Sequence, residues 1–344
     1  MSVSVSDPFN VLNDPTLSFL APALAPQQVQ QQFQTQLCYR FNRNQKFQLQ
    51  AIRVIRYKPK RRCLIEYDVV MEQAGRIWHT TWIGKVRAKG LNPSTYQLQQ
   101  ILWEHGFQSD SADGISVPEP IGIIPDWQMW LQCKVPGITA TTLLTPTEGL
   151  ELSRRIAQAV HKLHQAWILP QRCHTINDEL DILNDRLAKV AQQFPQWEQR
   201  LERMLARCDR LATTVAAPKF CGIHRDFYPD QILVDGSRLY LLDLDLYAGG
   251  DPALDVGNFN GHLIEQGLRS FGNPDALLAQ QNALTDKFIL LSGEKFHHSI
   301  EVYTTLTLVR HIYLSTQFLN RQAFTETILE LCEQRLENSL LKSV

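Results

Sequence analysis

The chain has 344 residues, 44% of them hydrophobic, with a formal net charge of -1 at neutral pH. That length exceeds what one hydrophobic core comfortably organises and favours two lobes. The balanced charge leaves no electrostatic footprint for nucleic acid or an anionic membrane. Seven cysteines, from Cys38 to Cys332, are scattered without a C-x-x-C pair. They read as reduced thiols of a cytoplasmic protein, not as a disulfide framework or a structural zinc site. No run of about 18 apolar residues is present, and the start MSVSVSDPFNVLNDP lacks a basic-then-apolar secretory pattern, so neither a membrane span nor a signal is expected.

Residues 1–37 read as a leader. Its first 25 residues are polar, with prolines at 8, 15 and 22, and are expected to pack loosely around one helical turn near Leu17–Leu20. From Pro26, a residue favoured at the first helical position, Val29, Phe33 and Leu37 recur every four residues and predict a short amphipathic helix. An N-lobe is expected over 38–137. LQAIRVIRY (49–57) is rich in strand formers, and Cys63, Ile65, Tyr67 and Val69 alternate as in a half-buried strand. Pro59 and the basic residues around it form the turn between them. IWHTTWIGKV (77–86) is a third strand, 96–105 is helical, and alternation from Trp127 to Val135 gives a further strand that ends at Pro136-Gly137.

The remainder, 138–344, reads as a helical C-lobe. Leu152, Ile156, Val160, Leu163 and Trp167 lie at helical spacing, and similar stripes run through 180–190 and 197–211. The exception is ILVDGSRLYLLDLD (232–245), which reads as a β-hairpin turning at Asp235-Gly236. Helices resume beyond 258, and there are no internal repeats.

Residues 221–259 carry the chemistry. Phosphoryl transfer needs a carboxylate for the attacking hydroxyl, oxygen ligands for magnesium and a cation on the phosphates. His224-Arg225-Asp226 precedes the hairpin, Gln231 follows Asp226 by five positions, and Asp243 stands at the hairpin's far end. A hairpin of this length brings Gln231 and Asp243 together near Asp226, and the two offer oxygens that suit magnesium.

HRDFYPDQ followed by a hairpin and an Asp resembles the catalytic segment shared by aminoglycoside and choline phosphotransferases and protein kinases. The following GDPALDVGNF resembles the small-molecule branch. The resemblance implies an α+β, bilobal protein-kinase-like fold with an antiparallel β N-lobe, a mostly helical C-lobe and a nucleotide between them. It implies an ATP- and magnesium-dependent kinase, with GTP as the other candidate donor, acting on the hydroxyl of an amino-alcohol, sugar or aminoglycoside-like molecule. Asp226 is then the base, with His224 orienting its loop. Gln231 and Asp243 are metal ligands, while Arg225, Asp251 and Asp255 support the loop. Lys85 on the third strand is the phosphate-binding cation, and Gln132 and Lys134 lie in a segment resembling the adenine-reading linker.

The sequence departs from the pattern in three places. Gln231 stands where protein kinases have Asn, no G-x-G-x-x-G loop is present, and helix 96–105 lacks the usual lysine-pairing acid. These departures keep a nucleotide-binding pseudokinase or partner-binding module as the alternative. A protein kinase ranks lower, because Asp243-Leu244-Asp245 replaces D-F-G and no A-P-E follows. His161 and His164, three apart on a helix, are expected to be packing or surface residues, since no third metal ligand accompanies them.

Overall fold

The computed structural model describes residues 3–37, 46–216 and 220–341. Cys38 and the first residues of the expected N-lobe lie outside them. The chain divides into two compact units, Met1–Pro136 and Gly137–Val344.

The first unit comprises β1 (Ser4–Ser6), α1 (Pro26–Gln36), β2 (Lys46–Lys58), β3 (Arg62–Gln73), β4 (Arg76–Arg87), α2 (Pro93–Glu104), β5 (Ile115–Ser116), β6 (Pro120–Ile124) and β7 (Met129–Cys133). Six strands form one sheet in the order β1-β2-β3-β4-β7-β6. The alternation seen in the sequence is the register of this sheet: Cys63, Ile65, Tyr67 and Val69 of β3 all point into the core. Helix α1 lays Phe33 against it, with its ring centroid 5.0 Å from Tyr67 and 5.4 Å from Trp82. Strand β6 escapes the sequence pattern because nearly every residue in it is buried, so it shows no alternation. The strand expected from Trp127 begins at Met129, and Pro125–Trp127 is a 3-10 turn.

The leader is not loose. Val11, Leu17, Leu20 and Ala23 are fully buried in the core of this unit, and β1 pairs in parallel with β2. Asp14 fixes it in place. Its carboxylate accepts hydrogen bonds from the Thr16 N–H (3.0 Å), the Tyr57 hydroxyl (2.9 Å) and the Lys60 N–H (2.7 Å) in the turn between β2 and β3. Composition suggested a loosely packed segment; a few apolar residues at the right spacing and one capping carboxylate outweigh it.

The second unit runs through β8 (Ile138–Thr139), α3 (Ala140–Leu143), α4 (Leu150–His164), α5 (Ile176–Gln193), α6 (Glu198–Ala212), β9 (Cys221–Ile223), β10 (Ile232–Asp235), β11 (Arg238–Leu241), β12 (Ala248–Gly250), α7 (Pro252–Phe271), α8 (Leu278–Ser292), α9 (His297–Thr316) and α10 (Thr325–Leu341). Thr175 and Asp178 form a capping box at the start of α5, and Asp251 caps α7. Helix α7 is buried on nearly all sides and packs against α9, and the polar residues it buries, Asp255 and Asn258 among them, must find partners there. Among the described residues, no helix is long and apolar enough to cross a membrane.

Candidate active site

The segment that carries the H-R-D sequence is a stem within a stem. Antiparallel pairing of β9 with β12, Ile223 opposite Ala248, closes residues 224–247 into one loop. Gly222 is required there, because a side-chain carbon at that position would meet the Tyr247 hydroxyl at 1.7 Å. Inside the loop, β10 and β11 form the expected hairpin, turning at Gly236 with a positive φ of 56°. The ladder runs one step past the strands: the Leu242 N–H donates to the Gln231 carbonyl at 2.9 Å. Gln231 therefore faces Leu242, the residue before Asp243, at the hairpin's open end.

A second bond ties this end to the H-R-D turn. The His224 Nε2–H donates to the Leu242 carbonyl at 2.8 Å, so Nε2 carries the proton, while the buried Nδ1 has no partner. His224 is fully buried and positions the loop. The loop is braced from α7 by Asp255, also fully buried. One carboxylate oxygen accepts from the His224 N–H (2.8 Å) and from His164 Nε2 (2.8 Å), and the other accepts from the Arg225 N–H (2.7 Å). Asn258, one turn further along α7, donates to the Phe227 carbonyl at 2.9 Å. Two residues in this assembly, Arg225 (φ 71°) and Asp243 (φ 54°), adopt the left-handed backbone that non-glycine residues avoid. Such conformations cost about 1–3 kcal/mol each and persist where surrounding bonds over-determine them. Here the Asp255 brace and the hairpin ladder do so.

Asp251 accepts from the Ala253 N–H at 2.9 Å, and burial raises its carboxyl above the usual range despite that bond. Asp226 and Asp243 are both partly exposed. As a metal site, Asp243 and Gln231 offer one carboxylate and one amide oxygen, hard donors that fit magnesium. Among the described residues no cluster of three or more His, Cys, Asp or Glu side chains is placed to hold a metal. An ion there would complete its shell with phosphate and water, as magnesium commonly does.

Asp226 opens onto a cavity of about 370 Å³ built from the second unit alone. Its walls include Arg225 and Tyr228 from the loop, Arg186 from α5, Glu265 and Arg269 from α7, and Arg310 from α9. Tyr228 stacks on His262 at 4.5 Å, and His262 meets His311 edge-on at 4.5 Å. Burial, with Arg310, Arg321 and Arg269 nearby, pushes the His311 imidazole down to about 3; the same causes, with His311 added, hold His262 well below the ordinary histidine range.

In the first unit Lys85 lies on β4 opposite Trp130, its ammonium 4.6 Å from the indole centroid. Gln132 is buried in β7 and accepts from the Gln99 amide at 3.2 Å. Gln99 occupies the stretch of α2 where the lysine-pairing acid was sought, and it also donates to the Pro118 carbonyl at 2.6 Å. The Lys134 N–H is committed to the Thr81 carbonyl at 2.8 Å, and its ammonium pairs with Glu66 at 2.6 Å.

Sequence reasoning missed the bracing role of His164, and it missed Asn258 and the arginines of the cavity other than Arg225. His164 was detectable: it continues the apolar stripe of α4 set by Ile156, Val160 and Leu163, and a polar residue on a buried face needs a buried partner. Arg186, Arg269, Arg310 and Arg321 come from four separate segments and share no spacing.

The architecture is the α+β class of protein-kinase-like phosphotransferases. The model of the phosphotransferase enzyme family matches residues 78–278, more than half of the chain, and the chain belongs to that family. It is accordingly an enzyme, a kinase in the broad sense of a phosphotransferase. Solved structures of similar fold include a choline/ethanolamine kinase family protein from Mesorhizobium loti (TM-score 0.53, 15% identity, covering 78% of this chain and 85% of that one). A choline kinase from Streptococcus pneumoniae is comparable (TM-score 0.53, 14% identity, 84% and 94%), as is a spectinomycin phosphotransferase solved with ADP and spectinomycin (TM-score 0.55, 10% identity, 91% and 97%). At these identities the likeness is one of fold. A comparison with curated proteins finds no match.

Proposed function

We propose that this enzyme transfers the γ-phosphoryl group of ATP to a hydroxyl of a small molecule, in a cytoplasmic setting. The observation that carries the proposal is the bonded chain from Asp255 through His224 and Leu242 to Gln231. It ties together the loop in which Asp226, Gln231 and Asp243 lie, and Asp226 lines a cavity of metabolite size.

Asp226 orients the acceptor hydroxyl and takes its proton as the oxygen attacks. Positioning of this kind supplies most of the catalysis in phosphoryl transfer. Asp243 and Gln231 would hold magnesium, which supplies neutralisation of the charge on the β- and γ-phosphates. His224 and Asp255 keep the loop from relaxing, and Asp251 and Arg225 hold its flanks. Lys85, Gln132 and Lys134 are proposed as nucleotide contacts on the family resemblance. The first unit would thus serve the nucleotide, and the second the base, the metal ligands and the acceptor.

The test is thermal melting with ATP and with GTP, each with and without magnesium, on the wild type and Asp243→Ala. Ligand that binds the native state raises the melting temperature by mass action. A magnesium-dependent shift abolished by Asp243→Ala is expected; no shift with either nucleotide would remove the proposal. Asp226→Asn should keep the shift while turnover falls roughly 10²–10⁴-fold, the usual contribution of a general base.

A further inference from the structure

The cavity beside Asp226 has a composition that its chemistry must explain. Five arginines line it: Arg186, Arg225, Arg269, Arg310 and Arg321. Three carboxylates accompany them, so the cations outnumber the acids. Asp226 is the proposed base. Asp230 accepts a hydrogen bond from the Thr141 hydroxyl. Glu265 is already shared between Arg269 (3.0 Å) and Arg321 (3.7 Å). An ammonium-bearing acceptor entering here would meet guanidinium groups on several sides.

The guanidinium groups are held as binding groups are held. Arg310 is anchored by buried Glu179 at 3.2 Å and by the Asn258 side-chain oxygen. Arg186 lies over the Tyr313 ring at 4.6 Å and Arg321 over Phe318 at 5.1 Å. Among the described residues no carboxylate stands within ion-pairing distance of Arg225. Burial lowers its proton affinity, neighbouring Arg172 and Arg310 lower it further, and Glu179 and Asp178 oppose them. Like charges packed this closely repel, and a bound anion relieves that repulsion. Arginine's planar fork matches phosphate and carboxylate oxygens in pairs.

We propose that the acceptor is a small hydroxyl compound bearing an oxyanion, a phosphate or a carboxylate, held by the arginine wall while its hydroxyl faces Asp226. The assignment rests on the phosphotransfer proposed above and narrows its acceptor class. In the reaction the acceptor oxygen forms a bond to the γ-phosphorus of the nucleoside triphosphate. The bond from that phosphorus to the β–γ bridging oxygen breaks, its electron pair leaves with the diphosphate, and the hydroxyl proton passes to Asp226.

The experiment pairs acceptors that differ only in charge: glycerol with glycerol 3-phosphate and with glycerate, and ethanolamine and choline as cations. Nucleoside diphosphate release by the full chain is measured with magnesium and ATP, and with GTP. At least tenfold higher kcat/KM for the anionic members is expected, and the phosphate and carboxylate arms show which oxyanion is preferred. Arg186→Gln and Arg269→Gln should each raise the anionic acceptor's KM roughly tenfold or more, the usual weight of a charged hydrogen bond, with kcat changed less than threefold. In a parallel arm without nucleotide, inorganic phosphate and glycerol 3-phosphate should raise the melting temperature of the wild type and much less that of Arg269→Gln.

Preference for a neutral or cationic acceptor would overturn the inference while leaving phosphotransfer standing. So would nucleotide binding accompanied by no response to any anion in either arm. Anion binding at the arginines without any nucleotide binding would overturn both readings, because the anion would then be no acceptor.

Discussion

In the first unit the buried carboxylate Glu66 is met by cations that stay half exposed at the rim of an apolar core; in the second, carboxylates and their partners are enclosed together. On the sheet, Arg53 bridges Glu66 (3.0 Å) and Asp68, Lys134 adds a second cation to Glu66, and Thr81 donates to Asp68 at 2.8 Å. The cations are half in water, and the core beneath is Phe33, Tyr67, Trp82 and their neighbours. In the second unit Asp255 and Glu179 are enclosed. Asp255 is satisfied by two backbone N–H groups and His164, and Glu179 by His174 at 2.6 Å and Arg310. Burial by itself would raise the Glu179 carboxyl, yet the His174 bond and the Arg310 charge outweigh it and hold the group low. The difference teaches where chemistry is built. Rim charges can be exchanged at little cost, whereas enclosed ones fix a loop in a strained conformation and tolerate no loss.

The largest effect should come from the enclosed side. Asp255→Ala removes the acceptor for three donors and leaves them buried. Breaking such a buried charged network typically costs about 3–5 kcal/mol, so the urea midpoint should fall steeply and turnover collapse. If that variant does not fold, His164→Leu gives the graded test. Asp255 then keeps its two backbone donors, and the loss should be about 1–3 kcal/mol. A loss under 0.5 kcal/mol in either variant would mean the brace is incidental and the contrast between the units is false.

This contrast also governs what was readable. The sheet strands and α1 follow from alternation and fourfold spacing, because residues such as Tyr67 and Phe33 report burial by their own apolarity. The H-R-D segment was readable for a different reason: Asp226, Gln231 and Asp243 sit at fixed offsets around a hairpin whose turn is set by Asp235-Gly236. The brace was only half visible. Asp255 stood at its expected place, but its partner His164 lies 91 residues away on an otherwise apolar stripe, and no local pattern connects them. Of the five arginines only Arg225 was visible, as part of H-R-D; the other four were not, because a helical bundle, not a spacing rule, brings them to one cavity. The packed leader was misjudged because polar composition was weighed above Leu17, Leu20 and the Asp14 cap.

The buried histidines give a smaller effect with a definite sign. His311 titrates near 3 in the folded protein against about 6.5 when unfolded. Between those values the unfolded chain binds more protons, so stability rises with pH across that window. The contribution is therefore complete above about pH 6.5 and is lost as pH falls toward 3. The loss is up to about 1.4 kcal/mol per pH unit, and His262 works in the same direction. The His311 Nε2 is buried without a partner, so His311→Leu should fold and flatten the dependence. Denaturation midpoints at pH 7.5 and 5.5 decide it. An unchanged slope in the variant would show that His311 takes up protons equally in the folded and unfolded chain, and that the cavity is less cationic than its arginines suggest.

The smallest effect should come from the rim. Arg53→Gln deletes the cation that touches both Glu66 and Asp68, on paper the richest ion-pair centre of the first unit. Glu66 nevertheless keeps Lys134 at 2.6 Å, and Asp68 keeps the Thr81 hydroxyl at 2.8 Å. The Arg53 side chain is 37% exposed, so water and salt already screen its pairs. Exposed pairs of this kind contribute about 0–1 kcal/mol, and the removed Coulomb energy is partly returned by rehydration of Asp68. The variant's urea midpoint should lie within that margin of the wild type and converge on it as salt is raised, since screening weakens only what the wild type has in excess. A loss above about 2 kcal/mol, insensitive to salt, would mean that buried Glu66 depends on Arg53 as Asp255 depends on His164, and that a half-exposed cation can hold an enclosed carboxylate as firmly as a buried partner does.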